Sequence, residues 1–219
     1  MRVVVAGGHG KIALRLERLL AEQGVTAVGL VRNPAHVDDV QATGAAAEVV
    51  DLEHTTAEQV AAHVAGADAV VFAAGAGPGS GAARKDTVDR GAAVLLAEAC
   101  QITGVRRYLM ISSMGLDRAS DPAVDEVFAA YLRAKKAAED DLRRRDLDWT
   151  VLRPGRLTDE PGTGRVQLAS SVPYGSVSRD DVAAVLLALL DEPRSARRTL
   201  ELVSGDTPVQ DAVAAAVTE

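Results

Sequence analysis

Within its first thirteen residues the chain commits to a strand, a glycine turn and a helix. Val3-Val4-Val5-Ala6 is a continuous apolar run of the kind a strand buried on both faces requires. Lys11 opens a segment with Ile12, Leu16, Leu19 and Leu20 on one helical face. Between them stands Gly7-Gly8-His9-Gly10. Gly8-x-Gly10-x-x-Ala13 fits the dinucleotide fingerprint with alanine in third place, and Gly7-x-x-Gly10-x-x-Ala13 fits a looser variant. Glycine is required where the chain turns sharply and its backbone approaches a pyrophosphate resting on a helix N-terminus. Gly7, Gly8, His9, Gly10, Lys11 and Ile12 are therefore candidate cofactor-binding residues. A Walker loop fails twice, because Val5 stands five residues before Gly10 and Ile12 follows Lys11 where Ser or Thr is needed.

The same alternation continues along the chain. Strand-like runs at Arg2–Ala6, Thr26–Val31, 47–50, 69–73, Arg107–Ile111 and 149–152 alternate with amphipathic stretches at 11–23, 35–43, Ala57–Val64, 87–103 and 127–145. This pattern predicts an α/β fold with a doubly wound parallel sheet and right-handed crossovers. After Leu152 a Pro- and Gly-rich loop leads to a strand at Arg165–Ala169, a helix at Arg179–Leu190, a strand at 199–203 and a short helix at 209–217. Ser178 is the expected N-cap of that first helix, with Asp180 and Asp181 in its opening turn. The reading is one domain over 1–219, with 153–219 contributing a small C-terminal lobe.

Composition narrows the function. The 219 residues include two Phe, one Trp and three Tyr, so Ala, Val and Leu must fill the core, and platforms for stacking nucleic-acid bases are lacking. A net charge of −7 argues against nucleic acid or an anionic membrane as partner. Cys100 is the one cysteine, and His9, His36, His54 and His63 lack the i, i+4 pairing of a helical metal site, so neither a disulfide nor a metal centre is expected. Without a signal-peptide pattern or a membrane-length apolar window, a soluble cytoplasmic protein with a small-molecule substrate is expected. The pattern does not choose between monomer and homodimer.

Which dinucleotide is bound turns on the second strand. No acidic residue stands where a ribose 2′-hydroxyl would be held; instead the strand ends in Arg32, whose fork of donors suits a 2′-phosphate, which points to NADP. The alternative is a solvated surface arginine. Asp51 and Leu52 follow the third strand, where Asp51 either accepts from the adenine amino group or caps the next helix before Thr55. Ala73, Ala74 and Gly75 end the fourth strand with residues small enough to lie against the cofactor. The fifth strand ends in Ser112 and Ser113, and the following helix carries Tyr131-x-x-x-Lys135. Residues at i and i+4 share a helix face, so an ammonium beneath a phenol stabilises its ionised form, and such a Tyr transfers protons. The bland alternative is a surface Tyr–Lys pair. Segments 75–81 and 156–164 stand as lids or as permissive loops, with Met114 and Tyr174 as pocket-lining candidates.

Taken together, the 7–13 turn, Arg32, Ser112-Ser113, Tyr131 to Lys135 and Thr150-Val151-Leu152-Arg153-Pro154-Gly155 resemble the atypical short-chain dehydrogenase/reductases. The nearest groups are the NmrA-like and biliverdin-reductase-B-like NAD(P)-binding proteins. The resemblance implies a Rossmann fold with NADP(H) across the sheet. It makes Ser113, Tyr131 and Lys135 the catalytic set, with Lys135 also among the cofactor contacts, and puts Pro154 and Gly155 near the nicotinamide end. It implies an oxidoreductase acting on a small carbonyl or conjugated substrate. The alternative is a non-catalytic NADP(H)-binding redox sensor. A sugar-nucleotide epimerase is a third reading, for which the short C-terminal portion leaves little room.

Overall fold

The apolar run at the N-terminus becomes the centre of a nine-stranded sheet. In the computed structural model, which describes residues 1–77 and 79–218, β1 (Arg2–Ala6) pairs in parallel with β2 (Thr26–Val31) and with β4 (Ala69–Phe72). Beyond β2 lies β3 (Ala46–Val49), and beyond β4 lie β5 (Arg107–Ile111) and β6 (Asp148–Pro154), all parallel. The order 3-2-1-4-5-6 is that of a doubly wound Rossmann sheet. Side chains alternate between two apolar clusters: Val3 and Val5 enter one, Val4 and Ala6 the other. The first cluster is closed by α1 (Lys11–Glu22), α7 (Arg179–Leu190) and α8 (Val209–Ala216). The second is closed by α3 (Ala57–Val64), α5 (Ala93–Thr103) and α6 (Glu126–Arg143). It also holds Phe72, Tyr108 and Trp149, half the chain's aromatics.

Residues 153–218 add three strands to the edge of this sheet. β10 (Arg198–Ser204) pairs in parallel with β6, and β8 (Arg165–Ala169) and β11 (Thr207–Pro208) extend the edge antiparallel. β7 (Arg156–Thr158) and β9 (Ser176–Ser178) form a separate two-stranded parallel sheet; both are too short to show a period in the sequence. Ser178 caps α7 by accepting from the Asp181 N–H at 3.0 Å. Asp180 and Asp181 also fasten segment 156–164: they accept from the backbone N–H groups of Gly162, Thr163 and Gly164 at 3.0, 3.1 and 2.8 Å. One of the two segments that stand as lids or permissive loops is thus tied to a helix start. In the other, Pro78 lies outside the described residues.

Elsewhere the helices depart from the simple amphipathic reading. The third-strand crossover begins with a 3₁₀ turn at Pro34–His36 before a short α2 (Val37–Gln41). The helix expected from residue 87 starts at α4 (Ala82–Arg84) and widens into π-helical turns over Lys85–Ala92 before α5. π turns commonly mark functional sites, and here they carry the fully buried Asp89. Among the described residues, no helix is long and apolar enough to cross a membrane.

One core residue is out of keeping. Glu17 on α1 is fully buried, and among the described residues neither carboxylate oxygen has a hydrogen-bond partner. It fits because β2 carries Gly29 and the turn carries Gly8: a Cβ at these positions would come within 2.6 and 2.9 Å of Glu17 Oε1. Burial pushes its carboxyl up from an ordinary 4.5 to about 8. The folded chain therefore keeps a proton that the unfolded chain releases, and stability falls by about 1.4 kcal/mol per pH unit from about pH 5 to 8, then levels off. We expect Glu17→Gln to abolish this slope and to gain stability over the parent as pH rises. Urea denaturation at pH 5 and pH 8 checks it; parallel pH dependence in the two proteins would refute it.

Candidate functional site

The chain order reverses at β1, so the carboxyl ends of β1 and β4 flank the crevice in which ligands of such sheets lie. The glycine turn lines it. Gly7 has φ +81°, a left-handed conformation that L side chains rarely adopt, and a Cβ there would meet the backbone of Ala74 at 2.6 Å. Gly8 lies as closely against Gly29, where a Cβ would come within 2.7 Å of its Cα. The first two glycines thus draw the turn against its neighbouring strands. Their N–H groups both donate to Leu30 O, at 3.2 and 2.9 Å.

What remains free is the start of α1. Gly10 is its N-cap and offers no side chain, and no acidic residue stands in the first turn. Helix geometry leaves the N–H groups of Lys11, Ile12 and Ala13 without an intrahelical acceptor. By contrast, α3, α6 and α7 are capped by Thr56, Asp125 and Ser178. An uncapped positive helix end at the switch point fits a dinucleotide's pyrophosphate. The side chains of His9 and Lys11 are turned elsewhere: His9 bonds Asp39 at 2.8 Å and stacks on His36, and Lys11 bonds Asp159 at 2.7 Å.

At the other end of the crevice Arg32 is not a free surface group. Its Nη1 donates to Glu53 Oε2 at 2.9 Å. Arg84 Nη2 reaches the same oxygen at 2.8 Å, and the Thr87 hydroxyl donates to Glu53 Oε1 at 2.8 Å. Asp51 does not cap the next helix; Thr56 does, in a capping box with Gln59. Asp51 closes its own turn by accepting from the Glu53 N–H and from His54, each at 3.0 Å. Burial raises its carboxyl, but the His54 and Glu53 hydrogen bonds and the charges of His54 and Arg32 outweigh this and hold it below the usual carboxylate range. Leu52 is half-buried against the second core cluster.

The ends of β4 and β5 carry the remaining candidates. Ala73, Ala74 and Gly75 line the exit of β4 beside Asp89, whose Oδ2 accepts from the Ala76 N–H at 3.1 Å. Lys135 is brought to the end of β5, where its Nζ donates to Ile111 O at 3.1 Å. That ammonium also lies 3.3 Å from Asp89 Oδ1, with both side chains almost fully buried. Sequence reasoning missed Asp89, because its partner is far away in the chain and no spacing announces it. The spacing of Tyr131 and Lys135 does place them together, with Lys135 Nζ 5.9 Å from the Tyr131 ring centroid. A second ammonium, Lys85, lies 5.5 Å from the same ring. The Ser113 hydroxyl, also at the end of β5, donates to Met114 O at 3.1 Å. The Ser112 hydroxyl is buried with no protein partner among the described residues, an unused polar atom at the end of β5.

Pro154 ends β6, its carbonyl accepting from the Met114 N–H at 3.0 Å. Gly155 lies directly against the Gly175 carbonyl, which a side chain would strike. Arg153, two residues earlier, faces α6, where Nε and Nη2 bond the buried Glu139 at 2.9 and 2.6 Å. Met114 is buried against Val172 and Val203, whereas Tyr174 is exposed. Cys100 is buried, and burial pushes its thiol up to about 12.

Comparison with known proteins adds an independent line. The family described as NAD(P)H-binding matches residues 7–193. The protein named uncharacterized sugar epimerase YhfK of Bacillus subtilis (strain 168) is 35% identical, over 97% of this chain and 99% of its own. A putative NAD-dependent epimerase/dehydratase from Bacillus halodurans, known as a solved structure, is 35% identical, covers 98% of this chain and 99% of that one, and superposes with a TM-score of 0.90. The oxidoreductase ylbE from Lactococcus lactis, at 24% identity, shares the fold with a TM-score of 0.86 over 100% of this chain and 98% of its own.

The Asp89–Lys135 pair yields a stability test. Asp89→Ala would leave an ammonium buried without its counter-charge, and we expect a loss of about 3–5 kcal/mol in urea denaturation. Asp89→Asn retains an acceptor for the Ala76 N–H and should lose less. Wild-type stability in Asp89→Ala would show that the pair does not hold α6 in place.

Proposed function

Because the chain belongs to the NAD(P)H-binding family, and its Rossmann crevice ends on an uncapped helix, we propose that it is an NADP(H)-dependent oxidoreductase acting on a small carbonyl or conjugated substrate. The observation that carries the catalytic part is Tyr131, flanked by the ammonium groups of Lys135 and Lys85. The first turn of α1 holds the pyrophosphate through its free N–H groups, and Arg32 receives the 2′-phosphate. Ala73, Ala74 and Gly75 let the dinucleotide lie close to the backbone, and the Ser112 hydroxyl gains the partner it lacks. When bound, the dinucleotide supplies or accepts the hydride. Tyr131 gives the proton to the carbonyl oxygen in reduction and takes it back in oxidation. Lys135, fixed by Ile111 O and Asp89, holds a positive charge one helical turn away.

A second reading is an NADP(H)-binding sensor without turnover. It is favoured by Ser113 being engaged with Met114 O and by Lys135 having Asp89 as its counter-ion. An epimerase, the class in the name of the Bacillus subtilis relative, would need a seat for a sugar nucleotide, and residues 153–219 are largely taken up by the sheet edge, α7 and α8.

Titration of the purified protein with NADPH and NADH, followed by carbonyl, quinone and flavin candidates, separates these readings. We expect tighter binding of NADPH and its consumption with at least one candidate. Tyr131→Phe should lower kcat at least about 100-fold with NADPH affinity nearly intact. Tight binding with no consumption across the panel favours the sensor, and unchanged turnover in Tyr131→Phe removes that residue from the mechanism.

A further inference from the structure

Two guanidinium groups from distant segments converge on one carboxylate oxygen beside the crevice. Arg32 follows β2, and Arg84 ends the short helix that precedes the π turns; both donate to Glu53 Oε2, Arg32 through Nη1 at 2.9 Å and Arg84 through Nη2 at 2.8 Å and Nε at 3.3 Å. The two cations are therefore held within a few ångströms of each other, an arrangement that repulsion alone would oppose. Glu53 lies beneath them, with its side chain 13% exposed, whereas those of Arg32 and Arg84 are 52% and 38% exposed. One of its oxygens receives both arginines and the other the Thr87 hydroxyl, which ties it to three side chains from two segments. Asp51, the other carboxylate near Arg32, is turned to His54 and the Glu53 N–H. The arginines keep unused donors: Nε and Nη2 of Arg32 and Nη1 of Arg84 make no hydrogen bond among the described residues.

Paired, partly exposed guanidinium groups with free N–H donors match the charge and donor pattern that a phosphate monoester needs. We propose that Arg84 is a second specificity-determining residue, which completes with Arg32 a two-arginine seat for the 2′-phosphate that distinguishes NADP(H) from NAD(H). This rests on the reading of the cofactor as NADP(H). Glu53 is the positioning residue: it fixes the spacing of the two forks before the ligand arrives, so less side-chain freedom is lost on binding. Arg84 also carries the seat across to the β4 side of the crevice, so that the phosphate is gripped from two segments instead of one.

Calorimetric titration with adenosine 2′,5′-bisphosphate and adenosine 5′-monophosphate, which differ only in the 2′-phosphate, tests this without reference to turnover. We expect the wild type to favour the bisphosphate, Arg84→Met to lose about tenfold of that preference and Arg32→Met to lose at least as much, while affinity for the monophosphate changes little in either. Arg84→Gln, carried in parallel and checked for its thermal transition, guards against a folding defect in the first variant. A full preference retained in both Arg84 variants, with the preference lost in Arg32→Met, overturns the assignment of Arg84 and leaves the NADP(H) reading standing. A wild type that binds both nucleotides equally overturns the NADP(H) reading and the seat with it.

Discussion

Three strand ends can share one crevice only because backbone meets backbone there. Gly7 packs on the main chain of Ala74 and Gly8 on that of Gly29, at separations that leave no room for a methyl group on either turn residue. This contact draws the exits of β1, β2 and β4 together and aims the axis of α1 into the space between them. The free N–H groups of its first turn, the small residues after β4 and the arginine after β2 all owe their mutual placement to it. The glycines that the fingerprint reserves for close approach to a phosphate serve first in approach to the protein itself.

Around that frame, buried or half-buried carboxylates do the organising. Asp89 joins the exit of β4 to α6 by accepting from Ala76 and facing Lys135. Glu139 joins α6 to β6 through Arg153, and Arg143 of its own helix also bonds it, at 2.6 Å. Glu53 joins the exit of β2 to the helix after β4. Each carboxylate has cationic partners on a different element, so a displaced partner would leave a charge in a poorly solvated place. That penalty makes the relative position of the elements specific in a way that the Ala-, Val- and Leu-rich core, with its near-interchangeable shapes, does not.

What could be read from the sequence was local. The glycine turn, the alternation of apolar runs and the cap at Ser178 each depend on neighbours a few residues apart, and each is where the residues placed it. The Tyr131 and Lys135 pair was legible for the same reason, since helical spacing alone brings the two side chains side by side. Asp89 with Lys135, Arg84 with Glu53, and Arg153 turned onto Glu139 were not, because charge pairing between distant segments leaves no period in the chain. Asp51 shows a subtler limit. A carboxylate before a helix suggests a cap, but Thr56 stands closer and, with Gln59, satisfies both ends of the capping box. The serine pair after β5 shows another: adjacency in the chain separated their roles, with Ser113 bonded to the next carbonyl and Ser112 left unpartnered.

The room made for Glu17 has a historical consequence. Because its carboxyl occupies volume that a methyl group at position 29 would need, that glycine and the acid constrain each other, whereas Gly8 is held in addition by the backbone of Gly29. Positions 17 and 29 form an epistatic pair, in which the order of substitutions is constrained: the glycine first on the way in, the acid first on the way out. In related chains, residues at these two places should therefore change together, although they lie on a helix and a strand.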